Sequence, residues 1–324
     1  MKRKNRFLLS IVLTIILLSG IGYAYLNTDL TMENSVKLNS YTKNKIVCKK
    51  ATTLHTETCD RTNNYGCIAK GYTNGATITY GHTDSSKLTN GQLTNGQSGG
   101  YALDCDLNGN GVVDVDSNGM STERFYYVSD LYTGTVNGTD QFDSNYAVLI
   151  YHKNIGRVRY YYENSKYENW HGPVTLLSSL PTRSTWPNEN IGLKSTSRTI
   201  VNELGTQTTN KGSNTIENPF NYTGAVARLL TVQELNKSCN ITVGSKTTGE
   251  LDSCEYLMED SAYSKTSRCS GGICYYWLET PQASNSYYAW RVFGGDRRVD
   301  DYSVYNDNGV RPVVEIKKTD IALN

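Results

Sequence analysis

Turn-forming dipeptides interrupt this chain so often that long regular elements have little room. Asn-Gly recurs at 74–75, 90–91, 95–96, 108–109, 110–111 and 118–119, and Gly-Gly at 99–100. Such pairs favour the backbone conformations of tight turns between short strands. Further on, stretches of aromatic and β-branched residues read as strands: "RFYYVSDLY" (124–132), "NYAVLIYHK" (145–153), "YYWLET" (275–280), "YAWRVF" (288–293), "RRVDDYSVY" (297–305) and "VRPVVEI" (310–316). Three segments carry helical signals instead. Val174, Leu177 and Leu180 space one, and Ile200, Val201 and Leu204 space the second. In "TVQELNK", Thr231 stands as N-cap with Glu234 completing a capping box. Strands and helices mix without regular β–α–β alternation, which predicts an α+β fold.

The N-terminus sets the compartment. Lys2, Arg3, Lys4 and Arg6 precede an apolar run from Phe7 to Leu26, a pattern that keeps that end in the cytoplasm and sends the rest outward. Residues 1–26 are expected as a cleaved signal peptide, with small residues at Gly22 and Ala24, or as a single membrane anchor of spanning length. Beyond them, 27–120 read as a Thr-, Asn- and Gly-rich β region or stalk, 121–318 as the main domain and 319–324 as a tail. The chain has 32 basic and 31 acidic residues, so removing the four leading basic ones leaves an acidic exterior. That charge excludes a nucleic-acid binder. Tyr outnumbers Phe 25 to 5 and mean hydropathy is −0.50, which suits an exposed, loop-rich extracellular protein with contact surfaces built from tyrosine.

Eight cysteines fall four and four, at 48, 59, 67 and 105 and at 239, 254, 269 and 274. An even count in an exported chain predicts disulfides within each group. Cys239 with Cys254 and Cys269 with Cys274 each bracket a short turn-rich loop. The N-terminal four allow three pairings. A zinc site from His55, Cys59 and Cys67 matches no standard spacing.

Two segments are candidate sites. In "DCDLNGNGVVDVDSNG", Asp104, Asp106, Asn108, Asn110, Asp114 and Asp116 alternate around Gly111, supplying the oxygen ligands and tight turn that calcium requires. The twelfth position from Asp106 is Ser117, where a closing acid would stand. No other cofactor is expected. Near the C-terminus, a hairpin turning at 294–296 places Trp290 and Val292 on one face and Arg291 and Phe293 on the other. On its return Arg298, Asp300 and Tyr302 share a face. Trp277, Trp290 and Val292 are expected in the core. The candidate ligand face comprises Asn285, Tyr287, Tyr288, Arg291, Phe293, Asp296, Arg297, Arg298, Asp300, Tyr302, Tyr305 and Asp307.

"ARLLTVQEL" (227–235), "YYWLETP" (275–281) and "GVRPVVEI" (309–316) together resemble the C-type-lectin-like domain of the formylglycine-generating-enzyme superfamily, and more closely its bacterial surface relatives. The resemblance covers about 121–318 and implies a C-type-lectin-like fold whose last strands carry the ligand face. It also implies, for some members, diversification by a retroelement that rewrites adenines in Asn codons. Residues 284–310 contain no Lys, Glu, Gln or Met, as such rewriting requires, with Trp290 fixed. The family's catalysis needs a pair of redox cysteines in the final segment, and none follows Cys274. His55, His82, His152 and His171 are scattered outside any catalytic motif, and His171 reads as structural. The expectation is an exported bacterial surface protein that binds an extracellular protein or glycan without catalysis. The alternatives are an enzyme of the same superfamily with an unrecognised site, or a structural adhesin or pilus component.

Overall fold

Adjacent side chains are buried on opposite faces of the central strands, so the aromatic runs are sandwiched from both sides. Tyr126, Val128, Val148 and Ile150 enter one core cluster, while Phe125, Tyr127, Ala147 and Leu149 enter another. Strands buried on both faces read as continuous apolar runs rather than strict alternation, which is the texture of "RFYYV" and "YAVLIY". The computed structural model describes residues 47–60, 71–83, 99–117, 119, 121–163, 168–207, 219–239, 241–243, 249–251, 254–259, 275–294 and 298–322. All of them fall in one compact unit, Ile46–Asn324.

In chain order the elements are β1 (Cys48–Lys50), β2 (Thr56–Thr58), β3 (Thr77–Thr79), β4 (Tyr101–Cys105), β5 (Arg124–Val136), β6 (Thr139–Tyr151), β7 (Gly156–Arg159), β8 (Ser197–Arg198), β9 (Phe220–Asn221), α1 (Val232–Cys239), β10 (Gly249–Glu250), β11 (Tyr275–Pro281), β12 (Tyr288–Phe293), β13 (Arg298–Ser303), β14 (Asp307–Val310), β15 (Val313–Lys317) and β16 (Ile321–Ala322). One six-stranded sheet runs β15-β6-β5-β4-β1-β16 and a second β10-β13-β12-β11-β14-β7. β2–β3 and β8–β9 form small ribbons. The long β5–β6 hairpin turns at Asn137 (φ 49°) and Gly138 (φ 76°), the left-handed pair that a two-residue hairpin loop demands.

Three core clusters follow. The first gathers Tyr126, Val148 and Ile150 with Tyr276, Leu278, Trp290 and Val292 of the second sheet and Val232 and Leu235 of α1. The second covers the opposite face of the first sheet with Trp186 and Ile191, and the third gathers Trp277, Ala289, Tyr160 and Tyr222. Trp277, Trp290 and Val292 are all at or below 2 % exposure.

The fold class differs from the α+β, C-type-lectin-like expectation. Among the described residues the architecture is mostly β, with α1 the one α-helix. Val174, Leu177 and Leu180 are spaced by three, and the segment forms only a 3-10 turn, Thr175–Ser179, ahead of Pro181, which resists helix continuation. In "KSTSRTIVNEL", Ser197–Arg198 pair as β8. Ile200 is buried but Leu204 is 62 % exposed, so no helical stripe is buried there, and Ser and Thr compete locally with helix formation.

α1 starts as the capping box requires: Thr231 Oγ1 accepts from the Glu234 backbone N–H (3.1 Å) and Glu234 Oε2 from the Thr231 N–H (3.2 Å). Glu234 also pairs with Arg228 (2.6 Å), whose Nε donates to Glu315 of β15 (2.6 Å). Burial would raise the Glu234 carboxyl, but Arg228, helped by Arg198 and the Thr231 N–H, holds it below its usual range. Cys239 is disulfide-bonded to Cys254, and Cys48 to Cys105, directly opposite in the β1–β4 register. Cys59 is also disulfide-bonded. The expected Cys269–Cys274 pair lies outside the described residues. Strands on both sides of residue 120 share the first sheet, β4 pairing with β5. Among the described residues no helix is long and apolar enough to cross a membrane, and the apolar run 7–26 lies outside them.

Removing one partner from a buried ion pair strands the other charge. Arg228→Ala and Glu234→Ala should therefore each lower unfolding free energy by about 3–5 kcal/mol, measured by urea denaturation.

Candidate functional site

In the C-terminal hairpin Phe293 stands opposite Arg298, Arg291 opposite Asp300 and Ala289 opposite Tyr302. On the neighbouring strand Tyr275 faces Phe293 and Trp277 faces Arg291. One face thus carries Arg291, Phe293, Arg298, Asp300 and Tyr302 together, but it is not a displayed face throughout. Arg291 is 6 % and Asp300 8 % exposed. Arg291 donates to both Asp300 oxygens (2.7 and 3.3 Å) and to Asn308 Oδ1 (3.2 Å). Its guanidinium lies 3.6 Å from the Tyr302 ring centre and 4.4 Å from that of Tyr275. Arg291 and Asp300 therefore brace the face from inside, a correction to their expected role as ligand contacts. Half-buried Arg298 reaches Asp300 (3.4 Å) beside the Phe293 ring. Asp296 and Arg297 lie outside the described residues.

The exposed members gather at one end of the second sheet. Tyr287 is 45 % and Tyr305 46 % exposed, and Tyr162, which the sequence did not single out, is 40 % exposed. Backbone bonds stitch their loops together. Val304 N–H donates to Tyr287 O (2.9 Å), Tyr160 N–H to Val304 O (3.1 Å), and Asn169 N–H to Ser286 O (2.5 Å). The fully buried Asn169 side chain donates to the carbonyls of Gln282, Asn285 and Tyr288. Asn285 Oδ1 accepts from the Tyr287 N–H (3.0 Å), and Tyr288 is half-buried against the same loop. The Arg159 guanidinium lies 4.2 Å from the Tyr162 ring centre and pairs with exposed Asp307 at 3.8 Å. His171, half-buried, stacks on Tyr161 with ring centres 4.2 Å apart.

The acidic loop is organised by its own side chains. Asp106 accepts from the N–H groups of Gly109 and Gly111 (2.7 Å each), Asn108 from Asn110 N–H, Asn110 from Val112 N–H, and Asp114 from the Asn108 amide. Asp104 instead pairs with buried Arg124 (2.7 Å), which removes it from the expected ligand set. Asp116 lines a different cleft, shared with His55 and His152. Beyond Ser117, Glu123 packs back onto the loop, its two oxygens accepting from the N–H groups of Leu107 (3.0 Å) and Asp114 (2.8 Å). Burial pushes the Glu123 carboxyl up to about 7, with Asp114 and Asp106 adding to the rise against the pull of those two hydrogen bonds.

The structure also unites groups that the sequence leaves scattered. His55 Nδ1 lies 2.5 Å and His152 Nδ1 3.3 Å from Glu259 Oε1, and Tyr126 donates its hydroxyl to Glu259 Oε2. Burial would raise Glu259, but hydrogen bonds from His152 and His55 bring it down to about 2. Burial likewise lowers the His152 imidazole against the opposing pull of Glu259. No local motif announces this cluster, because its members are 97 and 107 residues apart in the chain.

No protein-family model, curated protein or solved structure matches the chain.

Glu123 holds a proton in the folded state between about pH 4.5 and 7 that the unfolded chain has released. Its contribution to stability is present at pH 4.5 and lost as pH rises through about 7. Denaturation midpoints measured across that range should fall more steeply for the wild type than for Glu123→Gln.

Proposed function

We propose that the folded unit is an exported bacterial recognition module that binds an extracellular protein or glycan, without catalysis. The observation that carries this reading is the rim of Tyr162, Tyr287 and Tyr305, three exposed aromatic side chains on loops tied to one another by backbone bonds. Aromatic and Arg side chains are the usual anchors of binding hot spots, and loops already fixed before binding lose less entropy on it. The disulfides suit a chain that folds where thiols oxidise. Residues 1–26 would serve as its leader or its membrane anchor. Arg291 bonds both Asp300 and Asn308 in the interior, so any diversification of 284–310 would be confined to rim positions such as Tyr287, Tyr305 and Asp307.

The triple substitution of Tyr162, Tyr287 and Tyr305 by Ala should weaken capture on protein and glycan arrays by at least about 30-fold, since such anchors carry about 2 kcal/mol or more each. Its melting temperature should stay near that of the wild type. Undiminished capture by the triple variant would remove the rim from the binding surface.

Calcium belongs to the same reading. The Asp106, Asn108, Asn110 and Asp114 side chains alternate along a tight loop with Glu123 closing it, which matches the hard-oxygen donor set of extracellular calcium modules. Calorimetry should show one calcium site at roughly millimolar strength or tighter, lost in Glu123→Gln. A wild-type protein that gives no heat with millimolar calcium ends this part of the reading.

A further inference from the structure

We propose that His55, His152 and Glu259 form a binding site for a divalent transition-metal ion of the zinc class, open to a surface cleft. One ligand atom from each lies within 4.8 Å of the other two. They come from three separate parts of the fold. His55 directly precedes β2, His152 directly follows β6, and Glu259 follows the 3-10 turn Glu255–Met258. Two imidazole nitrogens with one carboxylate is a donor set that zinc favours.

The hydrogen-bond arithmetic at His55 points to a cation. Its Nε2 lies 3.0 Å from the carbonyl oxygen of Ser121, and a carbonyl only accepts, so Nε2 must carry the proton. In the neutral ring Nδ1 is then a bare lone pair, and it faces a carboxylate oxygen 2.5 Å away. Two electron-rich atoms at that distance need a positive centre between them. A proton on Nδ1 is one solution and a metal ion is the other. His152 turns its own Nδ1 toward the same oxygen, at 3.3 Å, so both rings aim the same atom at one point. A metal bound there would open the His55 contact to about 3.3 Å, the ligand separation of a tetrahedral zinc, which a small ring movement supplies.

The outer contacts are those that a metal site uses. The Ser121 carbonyl fixes the orientation of His55, and the Tyr126 hydroxyl holds the second oxygen of Glu259, as outer partners do for metal-ligating imidazoles and carboxylates. Tyr126 and Glu259 are buried, at 0 % and 7 % exposure. The remaining side opens on a cleft of about 530 Å³ that Thr122, Asp116 and Lys153 also line. Three protein ligands beside open space leave a position for water or an exchangeable anion, unlike the closed four-ligand sites of purely structural zinc. The cluster shares no residue with the aromatic rim or with the Asp106–Asp114 loop.

Calorimetric titration of chelator-stripped protein with zinc chloride tests this directly. One ion per chain at roughly micromolar strength or tighter is expected. Cobalt(II) should give the intense visible absorption of a site with fewer than six ligands. His152→Ala should weaken zinc at least about 100-fold, and Tyr126→Phe, which keeps both rings and the carboxylate, about 10- to 100-fold. The Tyr126→Phe arm keeps the test decisive should His152→Ala fail to fold. A wild-type protein that takes up no zinc overturns the proposal. So does zinc binding that His152→Ala, folded by circular dichroism, and Tyr126→Phe leave unchanged, because the ion would then sit elsewhere.

Discussion

The buried guanidinium of Arg228 is the constraint on which the rest of the architecture hangs. It is fully buried and meets two carboxylates, Glu234 at the start of α1 and Glu315 on β15. Arg198 extends the network to Glu279 on β11 and contacts Glu315 as well. Two cations therefore serve three anions. The surplus negative charge is met by neutral donors: the Tyr222 hydroxyl on Glu279, and backbone N–H groups of Thr231 and Tyr132 on Glu234 and of Lys194 on Glu315. Burying charge is costly unless every lone pair finds a partner. That requirement makes the network a specification of geometry more than a source of net stability: α1, β11 and β15 satisfy it only in one arrangement.

This gives the segments "ARLLTVQEL", "YYWLETP" and "GVRPVVEI" a physical meaning of their own. Arg228 and Glu234 lie in the first, Glu279 in the second and Glu315 in the third, and Arg311 of the third donates to the backbone carbonyls of Tyr151, Tyr256 and Leu257. The segments stand out in the sequence because each carries a charged residue inside an apolar run. Their co-occurrence reports a shared interior network, and the surrounding architecture is predominantly β.

What the sequence made legible was local. The capping box of Thr231 and Glu234 needs only four consecutive residues, and the Cys239–Cys254 pairing spans 15 positions. The alternation of 290–293 and 298–302 gave the correct shared face because strand period alone decides it. Burial on that face was not legible. Whether Arg291 is displayed depends on Tyr275 and Asn308, on strands reached through loops, and on Asp300 across the hairpin. Glu123 was missed because the expected loop register ran to Ser117, whereas the acid that bonds the loop backbone lies a further six residues on. The His55–His152–Glu259 cluster joins segments that only the finished sheet brings together, so no spacing rule could find it.

The burial of Arg291 also ties together the strands from which the rim loops emerge. The Arg291 guanidinium lies against the rings of Tyr302 and Tyr275 and makes three hydrogen bonds, two to Asp300 and one to Asn308, which tie β12 to β13 and to β14. Desolvated cation–π contacts of this kind are worth about 2 kcal/mol or more each, and they oppose separation of these strands. Asn169 adds to this, because one buried amide bonds three carbonyls of the 282–288 loop that carries Tyr287. The polar residues of this region divide by depth. Those inside bond the backbone and one another's charges, and Tyr162, Tyr287 and Tyr305 remain exposed on loops held by those bonds.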